Sequence, residues 1–265
     1  GDIQLAFAGD LLNQCIGSSL SVSNKSIPHI GLYGACSTFA QSLLVASCLI
    51  ESGQVNTAAI CVSSHFCTAE RQFRFPIDYG SFPPPAAQNT VTGCGAVLLK
   101  KASRQEKGVF ITEAMPGFVI DRGIKDAGNM GAAMATSAAD TILRYLNASN
   151  TNVSDFDIIA TGDLGATGHK MMCDMLKQKG VSDNNEIFQD CGCIIYDTQK
   201  QNVGQGGSGC GCSAVVTCSK LYPELNDGKI KKAALIGTGA MMSPQSLLQG
   251  LSIPAVAHLV ILSSK

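Results

Sequence analysis

The chain has no excess of positive charge. Its 265 residues carry 19 lysines and arginines against 20 aspartates and glutamates, for a formal net charge of -1. Without a basic field there is nothing to drive counterion release from a phosphate backbone, which excludes a nucleic-acid partner. Long apolar runs are missing too: no stretch approaches the roughly 18 uninterrupted apolar residues that a membrane span needs. Gly1 to Gln14 shows neither a charged n-region nor a signal cleavage pattern, so the expectation is an intracellular protein. The spacing of a zinc site is also absent. Cys191/Cys193 and Cys210/Cys212 are C-x-C pairs rather than the doubled C-x(2-4)-C that lets four thiolates converge, so no metal site is expected. A chain this long in a reducing compartment has no use for a disulfide framework.

What is present begins with cysteine itself, at 12 residues, and with a hydrophobic content of 45%. Cys48 in LLVASCLI and Cys61 in AAICVSS lie within apolar runs, where a thiol is expected to serve as a small buried hydrophobe. The apolar content is enough for one large domain or two small ones.

Laid on itself, the chain repeats. Asp2 to Leu11, a short apolar run ending in Gly-Asp-Leu, returns as Asp155 to Leu164. Both copies read as buried strands feeding a loop. Gly34-Ala-Cys36-Ser37, a helical stretch, Glu51-Ser-Gly53 and the strand Thr57 to Ser63 return as Gly211-Cys212-Ser213, a helical stretch, Asn226-Asp-Gly228 and Lys232 to Gly237. The helix after Cys36 is apolar almost all round and is expected to be buried on nearly all sides. Parallel strands with central helices predict a layered α/β sandwich of two related halves, 1–108 and 109–265. The second copy begins near Val109, about 50 residues before Gly162, whereas eight residues precede Gly9. The first half is therefore expected to lack roughly 40 or more residues that its counterpart has, and to leave an open sheet edge. Between the halves, Phe66 to Thr90 reads as a long irregular segment with a functional or interface role.

A duplicated α/β chain with a cysteine opening a buried helix is similar to thiolases and ketoacyl-acyl-carrier-protein synthases, in which that cysteine is the acyl-accepting nucleophile. At a helix N-terminus the dipole and free N–H groups would favour the Cys36 thiolate and lower its pKa. Longer strings narrow the resemblance: AGDLLNQ (Ala8 to Gln14), YGACST (Tyr33 to Thr38), SSHFCTAERQFRFP (Ser63 to Pro76), NMGAAMA (Asn129 to Ala135), TGDLG (Thr161 to Gly165), GGSGCGCSAVV (Gly206 to Val216), GTGAMMSP (Gly237 to Pro244) and SIPAVAH (Ser252 to His258). Across essentially its whole length the chain resembles the stage V sporulation protein AD family. That resemblance implies a thiolase-like αβαβα fold and a place on the machinery that moves dipicolinic acid, usually as its calcium chelate, across the inner spore membrane.

Condensing enzymes need two further groups beside the thiol to polarise the acyl carbonyl and stabilise developing charge. By the resemblance, the histidine position falls on Gly162 and the asparagine position on Ser208, while Gly237 to Ala240 lacks the second thiolase cysteine. The expectation is a catalytically inactive site. His65 and His169 are the histidines on which an active enzyme would depend, whereas His29 and His258 are expected to be structural.

Three functions remain, in this order. The first is a dipicolinate-binding protein, with Arg71 and Arg74 gripping carboxylates in bidentate fashion beside Cys36, Ser37, His65, Ser208 and the backbone N–H groups of the glycine turns at Gly207 and Gly239. Calcium would travel with the ligand, and no cofactor is expected. Asp10 and Asp163 are candidate oxygen ligands for that calcium, but their matching places in the repeat predict a shared loop-holding role. The second is a structural adaptor docking to membrane subunits of the dipicolinate machinery through a surface such as Phe82 to Pro85. The third is a Cys36-dependent acyltransferase. A homodimer is expected, through the strand after Thr57 or the segment from Thr90, on a protein peripheral to the inner spore membrane.

Overall fold

The structure, a computed structural model, describes residues 2–73, 83–103, 105–181 and 186–265. A four-stranded sheet holds β1 (Leu5–Gly9), β2 (His29–Gly31), β3 (Thr57–Ser64) and β5 (Gly93–Lys100) in the order β2-β1-β3-β5. A five-stranded sheet holds β6 (Val109–Met115), β7 (Ile158–Thr161), β8 (Phe188–Asp190), β10 (Lys232–Ala240) and β11 (Ala255–Ser264) in the order β6-β11-β10-β7-β8. The repeat is visible strand for strand. β2-β1-β3-β5 matches β8-β7-β10-β11, with three parallel-running strands and an antiparallel last one in each case. Only the second sheet continues, through the antiparallel pair of β11 and β6. Among the described residues β5 has no partner on its far side, which is the expected open edge.

Side-chain alternation explains the layering. Along β10, Ala233 and Leu235 enter a core shared with Phe7, Ile60 and helix α2 (Thr38–Glu51), whereas Ala234 and Ile236 enter a second core with helices α4 (Met130–Ser149) and α5 (Gly165–Gln178). A strand buried on both faces is apolar wherever its side chains meet the two cores, which is why Ala233 to Ile236 reads as a continuous run. Helices α2 and α7 (Cys210–Val216) thus lie between the two sheets. Helix α1 (Ile16–Val22) packs on β1 and β2. The outward side of β3 and β5 stays open among the described residues, where Leu98 is 57% exposed.

Several expectations change. Cys61 and Cys48 are exposed rather than buried: Cys61 takes the outward phase of β3, opposite to Ile60 and Val62, and Cys48 faces out near the end of α2. Phe66 to Phe73 is not irregular but forms α3, whose Ala69 and Glu70 turn inward. The short strands β4 (Asn89–Thr90) and β9 (Gly207–Ser208) pair in parallel, and Glu70 accepts hydrogen bonds from both Thr90 N–H and Thr90 Oγ1, which clamps α3 to β4. The glycine-rich turn expected at Gly237 to Ala240 is strand to its end. Finally, β3 is paired on both sides and has no edge to give a partner; the free edges of the first sheet are β2 and β5.

Candidate functional site

Cys36 sits in a single 3-10 turn, Ala35–Ser37, that leads into α2. Ala35 is held at φ 51°, a left-handed conformation that a residue with a Cβ keeps only when its surroundings impose it. The hydroxyls of the turn impose it here. Ser37 Oγ donates to the Gly34 carbonyl at 2.6 Å, and Thr38 Oγ1 donates to the Ala35 carbonyl at 2.7 Å while accepting the Gly34 N–H at 3.1 Å. This bend aims Cys36 at the second half of the chain.

Asp163, in the loop after β7, meets it there. The Asp163 side chain is fully buried. Its Oδ2 accepts the Gly209 N–H at 2.8 Å and its Oδ1 accepts the Thr238 hydroxyl at 2.9 Å, and its charge acts on the neighbouring Cys36 thiol. Gly209 stands at φ 99°, a conformation open to glycine and costly for other residues; that conformation turns its N–H to the carboxylate. Despite these two donors, burial pushes the Asp163 carboxyl up to about 7, and the nearby charge of Asp190 adds to the rise. Asp190 is itself buried and accepts from Thr161 Oγ1, Leu164 N–H and Gly165 N–H.

The same environment acts on the thiol. Burial first, then the charge of Asp163 and the hydrogen bond to it, hold Cys36 well above the ordinary thiol range. The expectation that the helix N-terminus lowers this pKa is therefore corrected: loss of solvent and an adjacent carboxylate outweigh the dipole.

Over Cys36 opens a cavity of about 370 Å³. Its wall is mostly apolar, with Leu11, Phe73, Met130, Met241 and Met242, and a few hydroxyls punctuate it, including those of Tyr33, Thr90, Ser208 and Ser243. No arginine, lysine, histidine, asparagine or carboxylate lines it among the described residues.

Of the residues singled out in sequence, the structure brings Cys36 and Ser208 together on this wall. Gly209, the neighbour of Ser208, lines it as well, while Gly207 is buried in β9, where its carbonyl accepts Gln88 Nε2 at 2.9 Å. Ser37 is buried behind Cys36, and Gly239 packs against the Gly34 carbonyl and Ser37, one residue short of the lining Ala240. His65 and Arg71 are exposed and off the cavity wall. Arg74 and Phe82 lie outside the described residues. His169 sits beside Cys173, 3.7 Å away on α5, and His258 accepts the Gly117 N–H at 3.2 Å; neither lines the cavity. At Gly162 an added Cβ would meet Thr238, so the side chain that this loop sends to Cys36 is Asp163, one residue on. Sequence reasoning missed this role, and the signal available was an acidic residue enclosed by apolar and glycine positions on both sides. Asp10 has the loop-holding role expected of it, with Leu12 N–H, Ser18 N–H and Ser18 Oγ all donating to its carboxylate at 2.6–2.7 Å. Among the described residues no three His, Cys, Asp or Glu side chains converge as metal ligands.

Comparison with known proteins bears on the family and the fold. Stage V sporulation protein AD of Bacillus subtilis (strain 168) is 43% identical over 260 residues, covering 98% of this chain and 75% of that protein. Among solved structures, AbyA1, a tetronic acid condensing enzyme, superposes with a TM-score of 0.63 at 14% identity, covering 99% of this chain and 79% of its own. FabH, the 3-oxoacyl-(acyl carrier protein) synthase III of Pseudomonas aeruginosa PAO1, gives 0.58 at 14% identity over 98% of this chain and 76% of its own. At such identities the likeness establishes the fold, which is that of the thiolase-like condensing enzymes. The profile of the family Stage V sporulation protein AD (SpoVAD) matches residues 1–263. The chain belongs to the stage V sporulation protein AD family.

Proposed function

We propose that the chain binds dipicolinic acid, carried with calcium as its chelate, in the cavity over Cys36, and that it does not catalyse condensation there. The observation that carries this reading is the chemistry of the wall. A space of about 370 Å³ with Met130, Met241, Met242 and Phe73 suits a flat aromatic ring, since thioethers adapt their shape and make favourable sulfur–aromatic contacts. The hydroxyls of Ser208 and Ser243 can donate to carboxylates at its rim. No carboxylate of the described wall is open to a cation, which fits calcium held by the ligand rather than by the protein.

The case against condensation is equally local. A thiol kept protonated by burial and by Asp163 is a weak nucleophile. The two groups that stabilise developing charge in condensing enzymes have no histidine or asparagine to supply them among the residues lining the cavity, and loss of one such group typically costs about 10²- to 10³-fold in rate. The same reading puts the protein on the inner spore membrane as a homodimer, docked to membrane subunits that move dipicolinate. The free edge of β2 and the exposed Ile16, Leu20 and Ile30 around it support a pairing surface.

Calorimetric titration with dipicolinate, with and without calcium, tests the proposal. Saturable binding that a bulky Ala240→Phe substitution abolishes and Arg71→Ala leaves intact is expected. Heat that survives Ala240→Phe in the folded variant moves the site elsewhere, and no heat from the wild type favours the adaptor.

A further inference from the structure

The cavity poses an electrostatic problem for any anion. Its described wall offers no basic side chain, and directly behind Cys36 lies a fully buried carboxylate, Asp163. Among the described residues, none of the groups acting on Asp163 is a cation. The turn before α2 presents the Cys36 thiol, the end of β8 presents Asp190, and α6 (Cys191–Ile194) and α7 present the thiols of Cys191, Cys210 and Cys212. Asp10 acts on Cys210 from the first half, as a further negative charge. Helix α5 contributes His169 beside Asp190, and burial disfavours its charged form. An ionised Asp163 would therefore repel an incoming carboxylate, with no counter-charge among the described residues to cancel it.

Resting on the reading that this cavity holds dipicolinate, which is a dianion until calcium neutralises it in the chelate, we propose that the calcium-free ligand enters together with a proton, which Asp163 takes up. The site is built to receive that proton. Oδ1 faces the Thr238 hydroxyl, which donates to it at 2.9 Å and can rotate to accept instead, because a hydroxyl serves either way. The Gly209 N–H stays bonded to Oδ2, so the loop that carries the cavity-lining Ser208 keeps its position in both states. No bond other than O–H forms, and the proton comes from solvent. The position of Asp163 near neutrality means that an anion arriving over Cys36 shifts an already balanced equilibrium rather than forcing an unfavourable one. The protein would thus couple occupancy to pH through its own carboxylate, since a ligand carboxylate with an ordinary pKa of about 4 stays ionised across the neutral range.

The test is titration calorimetry with calcium-free dipicolinate at about pH 6, 7 and 8, repeated in buffers of different ionisation heat, on the wild type and on Asp163→Asn. For one linked proton the wild-type affinity is expected to fall by up to about tenfold per pH unit above neutrality, with net proton uptake in the buffer comparison. Asp163→Asn should bind with an affinity that is flat over the same range. Wild-type binding with no proton uptake and no pH slope overturns the inference while leaving the binding site standing, and so does a folded Asp163→Asn that keeps the wild-type slope. Absence of binding at every pH overturns both this inference and the reading beneath it. The buffer comparison on the wild type alone decides the matter if the variant does not fold.

Discussion

Asp10 and Asp163 close the same Gly-Asp-Leu motif at the end of equivalent strands, and they have opposite fates. Asp10 spends its carboxylate within its own segment, on Leu12 and Ser18, and fixes the start of α1. Asp163 spends its carboxylate across the molecule, on Gly209 and Thr238, and its charge acts on Cys36. One motif therefore supplies a loop staple in the first half and, in the second, a buried carboxylate that holds the cavity-lining Gly209 by its N–H. The difference lies not in the tripeptide but in what the central helices bring to it: Cys36, opening α2, faces the second-half loop. A duplicated sequence fixes where a side chain starts, and the partner half decides its chemistry.

The glycines of the motif should break the equivalence most sharply. A Cβ on Gly9 would meet the Leu32 carbonyl at 2.5 Å and Thr38 Cγ2 at 2.3 Å, whereas one on Gly162 would meet Thr238 Oγ1 at 3.0 Å. Backbone cannot step aside as a side chain can, so Gly9→Ala should cost roughly 3 kcal/mol or more in denaturant unfolding and Gly162→Ala about 1 kcal/mol. Equal losses would mean that the two loops are packed alike. Next in size is Asp10→Ala, which strands the buried donors of Ser18 and should cost about 2–3 kcal/mol, with dipicolinate affinity unchanged in the protein that remains folded.

Asp163 should behave in the reverse sense. Its folded carboxyl binds a proton up to about pH 7, whereas the unfolded chain releases it near pH 4. Between these values the native state holds more protons, so the contribution of Asp163 to stability declines as pH rises through this window and levels off above it. Thermal melts of Asp163→Asn should therefore improve relative to wild type from pH 4 to pH 8, by up to a few kcal/mol. A difference that is constant with pH contradicts the assignment. The smallest effect is chemical: Cys36 should react with iodoacetamide far more slowly at pH 8 than exposed Cys67, as read by peptide mass mapping. Comparable rates would revive the acyltransferase.

The architecture was legible in the sequence because a repeat constrains it twice. Strand order, central helices and the open edge at β5 all follow from the second half serving as a template for the first. Less legible was anything that depends on which face of an element looks outward. Cys61 lies in an apolar run, but the outward phase of β3 is not covered among the described residues, and no pattern within AAICVSS reveals that. Likewise Cys36 could be located by its neighbours in sequence, whereas its raised pKa arises from burial and then from Asp163, 127 positions away. The basic residues expected around the ligand, Arg71 and Arg74, follow closely on His65 in sequence. Helix α3 instead carries Arg71 out to solvent while turning Ala69 and Phe73 toward the cavity.

The most direct test of the account is a crystal structure of the protein soaked with calcium dipicolinate. The account predicts a flat ring over Cys36, packed on Met241 and Phe73, with a carboxylate at Ser208 and the calcium held on the ligand; an occupied site elsewhere on the molecule, with this cavity filled only by water, would contradict it.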